Sequence, residues 1–219
     1  MKTAKLLVLA LMASLTVHLS CRSKTSENAS SAMGVKSEAA TTTPKGKYAI
    51  KSGIVEYKTQ MMGMNMKQVL TFDDYGKKEV TEMMANMMGV KIHTVTLRKD
   101  GYIYTLDMVK KTGTKIPLLT MNNSDIDFEN LSEEMTKEMN LKKEGTEEYL
   151  GKTCEKMSID YTKMNMKGTF LVYKGVALKS ETNMGTTKIN LIGEKFIENP
   201  VIPAEKFEIP PDITITETK

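Results

Sequence analysis

The stretch Leu171-Val172-Tyr173-Lys174-Gly175-Val176-Ala177-Leu178-Lys179 decides the fold class. Two apolar, strand-favouring runs meet at a Lys-Gly pair, and glycine takes positive φ without steric cost, so the pair closes a tight hairpin. The same chemistry recurs outward. Gly151-Lys152 separates Thr146–Leu150 from Thr153–Tyr161, and Lys99-Asp100-Gly101 separates Lys91–Arg98 from Tyr102–Met108. Asp73-Asp74-Tyr75-Gly76 separates Met66–Phe72 from Lys77–Thr81. With Tyr48–Thr59, Lys167–Tyr173, Val176–Glu181 and Thr186–Ile197, these segments predict an antiparallel meander.

Helical spacing interrupts the strands in two places. Phe128, Leu131, Met135 and Met139 form one stripe of a 3.6-residue period, with Ser124, Asp125 and Asp127 as caps and Lys142, Lys143 and Gly145 suiting its end. Val80, Met83, Met84, Met87 and Met88 repeat the spacing before Gly89. There the preferred reading is a strand passing into a short helix, and the alternative is a strand running into a methionine-rich loop. Met64-Asn65-Met66-Lys67 recurs as Met164-Asn165-Met166-Lys167, which reads as two similar hairpins in one meander.

The N-terminus carries a different signal. Lys2 and Lys5 precede the apolar run Leu6–Leu19, which ends in small residues and is too short for a span of about 20 residues. Cys21 follows Ser20 where a bacterial lipoprotein signal places its acylated cysteine, although His18 stands where a branched aliphatic residue is usual. Residues 1–20 are thus expected to be a lipoprotein signal peptide, with Cys21 lipidated. The competing reading is ordinary cleavage after Ser14. The stretch from Arg22 to Gly46 holds no aromatic residue and reads as a disordered tether. Residues 47–219, which contain all 8 Tyr and 5 Phe, read as one domain. Removing Lys2 and Lys5 lowers the net charge from +4 to +2, too little for electrostatic attachment, so the membrane would be held through the N-terminal lipid.

Three stretches carry a family resemblance: the 148–157 hairpin around Gly151, the 171–179 hairpin, and Ile197-Glu198-Asn199-Pro200-Val201-Ile202-Pro203-Ala204-Glu205-Lys206-Phe207-Glu208-Ile209-Pro210. Their order resembles the C-terminal half of the LolA-like and LolB-like outer-membrane lipoprotein carrier and sorting superfamily. The resemblance implies a mainly β (α+β) fold: a curved antiparallel sheet forming an incomplete barrel, with one or two helices as a lid. Phe72-Asp73-Asp74-Tyr75-Gly76-Lys77-Lys78-Glu79 is also similar to uncharacterised lipoproteins of Gram-negative envelopes. The implied location is the bacterial cell envelope, lipid-anchored to the outer membrane.

Composition narrows the chemistry. The 31 Lys and Arg against 27 Asp and Glu argue against a nucleic-acid partner. Two Cys and two His exclude a disulfide scaffold and multi-cysteine zinc modules. No phosphate loop or nucleophile elbow is present, so no enzyme, catalytic residue or cofactor is expected. Cys154 reads as a small buried hydrophobe; a nucleophilic role would need His93 beside it.

The anomaly is 19 Met. Met61-Met62-Gly63-Met64-Asn65-Met66 and Met83-Met84-Ala85-Asn86-Met87-Met88 are dense enough for Cu(I) ligation by thioethers, with His93 or Cys154 completing a set. The preferred reading assigns no metal and takes these side chains as adaptable packing or cavity lining. Met64, Met66, Met83, Met87, Phe128, Leu131 and Met135 are then expected to line a concave face. That face would take an apolar or lipid-like ligand or a protein partner. A structural or interaction lipoprotein with a closed Met-rich core is the alternative.

Overall fold

The computed structural model describes residues 46–118 and 126–217. Its twelve strands form one open sheet in the order β12-β6-β5-β4-β3-β2-β1-β11-β10-β9-β8-β7. In chain order these are β1 (Gly53–Met61), β2 (Met64–Asp73), β3 (Lys78–Met87), β4 (Val90–Lys99), β5 (Tyr102–Asp107) and β6 (Thr112–Pro117). Then come β7 (Lys142–Tyr149), β8 (Lys152–Tyr161), β9 (Met166–Tyr173), β10 (Val176–Met184), β11 (Thr187–Glu198) and β12 (Thr214–Glu217). All neighbours pair antiparallel except β12, which lies parallel to β6 at the edge. The long-range seam is β1 on β11, running from Gly53 opposite Glu198 to Met61 opposite Ile189. The expected mainly β, curved, incomplete barrel is the observed architecture.

The turns explain the meander. Met62-Gly63, Met88-Gly89, Asp100-Gly101, Leu150-Gly151 and Lys174-Gly175 each place both residues at positive φ. Such turns match the right-handed twist of the strands they join. Alternation then sorts the faces: in β1, Val55, Tyr57, Thr59 and Met61 are buried. At Gly53 a Cβ would stand 2.4 Å from the Phe72 ring, so glycine is what admits that ring. Phe72 in turn packs on Tyr48, with centroids 4.2 Å apart, a contact worth about 0.5–1.5 kcal/mol beyond its buried area.

Several sequence expectations need correction. Val80–Met88 is not helical: Met83 pairs with Gln68 and Thr94, and Met84 with Lys67 and His93. Hydrogen-bonded ladders on both sides outweigh the helix preference of methionine. The one described α-helix, α1, spans only Glu133–Glu138. Ser132 caps it by accepting from Met135 N at 3.1 Å. Phe128 and Leu131 precede this helix, while Asp127 accepts from the amides of Glu129 and Asn130 in a turn. Ser124 and Asp125 lie outside the described residues. Lys142 and Lys143 open β7 instead of ending a helix. Tyr48 and Ile50 precede β1 and are tucked into the core, with Tyr48 N donating to Tyr75 O. Strands β6 and β12 had no counterpart in the sequence reading.

The repeated Met-Asn-Met-Lys motif opens related hairpins with different turns. Met61 faces Met64 across a two-residue turn, whereas Tyr161 faces Met166 across four residues.

Candidate functional site

Two segments that leave the sheet cover its two faces. The C-terminal segment seats Phe207 and Ile213 against Val80, Val95, Leu97 and Leu106. On the other face, Ile126, Phe128, Leu131, Met139 and Leu141 pack with Met157, Ile159, Met166, Phe170 and Val172. Beside this lid lies a cavity of about 300 Å³, at the lower end of the range of about 300–1,000 Å³ for ligand pockets.

The cavity has two kinds of wall. Tyr57, Leu70, Phe128, Met166, Phe170 and Leu191 give it an apolar side. Lys47, Glu79 and Arg98 line it as well. The Glu79 carboxylate accepts from Lys47 Nζ and from the Tyr48 hydroxyl, each at 2.7 Å. Burial alone would push this carboxyl upward, but Lys47, Tyr48 and Arg98 together hold it below the ordinary value. A backbone bulge in β10 between Ala177 and Lys179 adjusts the wall, and Ala177, Ser180 and Thr182 all line the cavity. The Tyr57 hydroxyl donates to Ala177 O at 2.8 Å, fixing that ring across two strands.

Of the residues expected to line a concave face, Phe128 lines this cavity. Met66 is buried at 7% exposure, and Leu131 packs in the lid cluster. Met64, Met83 and Met135 are half-buried, and none of them lines the cavity. Met87 is 44% exposed beside the β3–β4 turn, also outside the cavity wall. The methionine clusters mark hairpin ends. Met61 faces Met64, Met87 faces Val90 and Met166 faces Met184, all at one end of the sheet. The cavity residues that sequence reasoning missed, Tyr57, Glu79, Arg98 and Phe170, come from four strands far apart in the chain. No local spacing links them.

Cys154 is fully buried in the core that holds Leu171, Val176 and Leu178. Burial, then Glu148 and Glu147, push its thiol up, the reverse of an activated nucleophile. His93 sits instead on β4, with Nε2 3.3 Å from Glu82 Oε2. Among the described residues no group of three or more His, Cys, Asp and Glu is placed to hold a metal ion. Cys21 lies outside the described residues.

No protein-family model matches the chain, and no curated protein sequence matches it. An uncharacterised conserved protein from Thermus thermophilus superposes with a TM-score of 0.53 at 8% identity, covering 78% of this chain and 92% of that one. MucB of Pseudomonas aeruginosa, in its complex with MucA, gives 0.48 at 8% identity, and the chain spans 59% of that structure's length. LprF from Mycobacterium bovis gives 0.39 at 10% identity, over 72% of this chain and 90% of that one. The first of these is a likeness of fold.

Proposed function

We propose that this chain is a non-catalytic envelope lipoprotein that takes an apolar or lipid-like ligand into the concave face of its half-barrel. The observation that supports this reading is the cavity beside the lid, apolar along Tyr57, Leu70, Phe128 and Phe170 and charged at Lys47, Glu79 and Arg98. An amphiphile fits such a wall: its chain leaves water along the aromatic side while its polar end meets the charged edge. Anchoring is assigned to Cys21 at the outer membrane, since a net charge of +2 without Lys2 and Lys5 is too small for electrostatic attachment.

Two experiments test the two parts. Mass spectrometry of organic extracts from the purified protein should find a copurifying lipid, and a fluorescent fatty-acid probe should bind the delipidated form. Thr96→Trp, which fills the cavity wall, should abolish probe binding while the protein stays folded. Absence of both lipid and probe binding would end the ligand reading. Independently, Cys21→Ser should release the protein from the membrane fraction; retention after a high-salt wash would end the anchor reading.

A further inference from the structure

The face of β3, β4 and β5 turned away from the cavity carries a row that the lipid reading does not use. Met84 on β3 is directly opposite His93 on β4. On the far side, Met108 N donates to His93 O at 2.8 Å, which continues the pairing of Thr94 with Asp107 and sets Met108 opposite His93. Directly paired residues project to the same face, so two thioethers flank one imidazole across three adjacent chain segments. We propose that Met84, His93 and Met108 form a binding site for a soft monovalent metal ion of the Cu(I) class.

The geometry suits that ion. Neighbouring strands lie about 4.8 Å apart, and methionine side chains are unbranched and flexible. Both sulfurs can lean toward the central imidazole and meet one ion. Thioether and imidazole are the ligand types that favour Cu(I) over hard cations. The imidazole is already oriented: Nε2 is 3.3 Å from Glu82 Oε2, which leaves Nδ1 for the metal. A carboxylate behind a ligating histidine is the usual outer partner at metal sites. Glu82 is itself held by Lys206 from the C-terminal segment. The His93 side chain is 34% exposed, so an ion can reach it, and Met108 packs against the apolar cluster under that segment. The dense clusters singled out in the sequence behave otherwise. Met62 and Met88 stand 65% and 101% exposed at separate turns, with no imidazole between them.

The test is a Cu(I) titration of the full chain in competition with bicinchoninate, in a Cys21→Ser background so that this thiol adds no site. One equivalent should bind in competition with the probe. Met84→Leu, Met108→Leu and His93→Leu should each weaken binding by at least about tenfold, while a Met62→Leu/Met88→Leu variant should bind as the parent does. Met-to-Leu exchange nearly conserves volume, and unchanged circular dichroism verifies that each variant is folded. Binding by the Met84→Leu/Met108→Leu variant equal to the parent would overturn the proposal. So would loss confined to the Met62→Leu/Met88→Leu variant, which would move the ion to the hairpin tips.

Discussion

The C-terminal segment and the lid cover opposite faces of one sheet, and they grip it differently. The C-terminal segment buries Phe207 and Ile213 to 8% and 9% exposure in a continuous apolar cluster. Lys206–Glu82, Lys99–Glu208 and Lys111–Asp212 pin its length. Pro200, Pro203, Pro210 and Pro211 fix its backbone φ and lower the entropy lost on docking. The lid has a six-residue helix, too short to be stable alone, and Met139 is the one buried apolar side chain among its described residues. A face sealed by fixed, branched and aromatic groups becomes core. A face covered by half-buried Phe and Met side chains keeps room for something else.

The comparison can be broken most directly at its tight end. Phe207→Ala should cost about 3–5 kcal/mol by removing a buried ring and leaving a cavity, read as a lowered denaturant midpoint with an unchanged slope. Glu79→Gln comes next. It takes the Glu79 carboxylate away from Lys47 beside the cavity and should cost about 3 kcal/mol at neutral pH. Because the Glu79 carboxyl is held below its ordinary 4.5, its contribution is present above that pH and is lost as pH falls through the folded-state value. Acid titration of stability should therefore be steeper in the parent than in Glu79→Gln; identical curves would show that the Glu79 carboxylate adds no stability through Lys47.

Phe128→Ala should cost under about 2 kcal/mol, since the ring is half-buried, yet it should reduce fatty-acid probe binding severalfold. A loss of stability equal to that of Phe207→Ala would erase the distinction between the two covers. The smallest effect belongs to the rim. Met88 adopts φ 50 at full exposure, a conformation that asparagine tolerates better. Met88→Asn should thus stabilise by less than about 1 kcal/mol, measured by thermal melting.

Much of the sheet was legible because its signals are local. Lys174-Gly175 and Asp100-Gly101 announce their turns, and Gly151 does so one residue off, since Leu150-Gly151 is the turn pair and Lys152 opens β8. The runs beside them supply β8, β9, β10 and most of β4 and β5. The same signal stood at Met62-Gly63 and Met88-Gly89, where methionine obscured it: Met83, Met84, Met87 and Met88 satisfy a helical period, although the first three lie in β3 and Met88 belongs to the turn after it. β6 and β12 escaped because Thr112-Gly113-Thr114 and Thr214-Ile215-Thr216 are short pieces with little apolar pattern, β12 at the sheet edge and β6 beside it.

The sequence by itself determined the class of the fold and the succession of hairpins, since turn chemistry and alternation act over a few residues. Only the tertiary structure decided which face each cover takes, that Glu79 meets Lys47 and Tyr48, and that Tyr57, Arg98, Phe128 and Phe170 share one cavity. These are pairings between residues tens of positions apart. They arise when the β1–β11 seam curls the sheet and packing selects among many possible neighbours, a choice that no local pattern encodes.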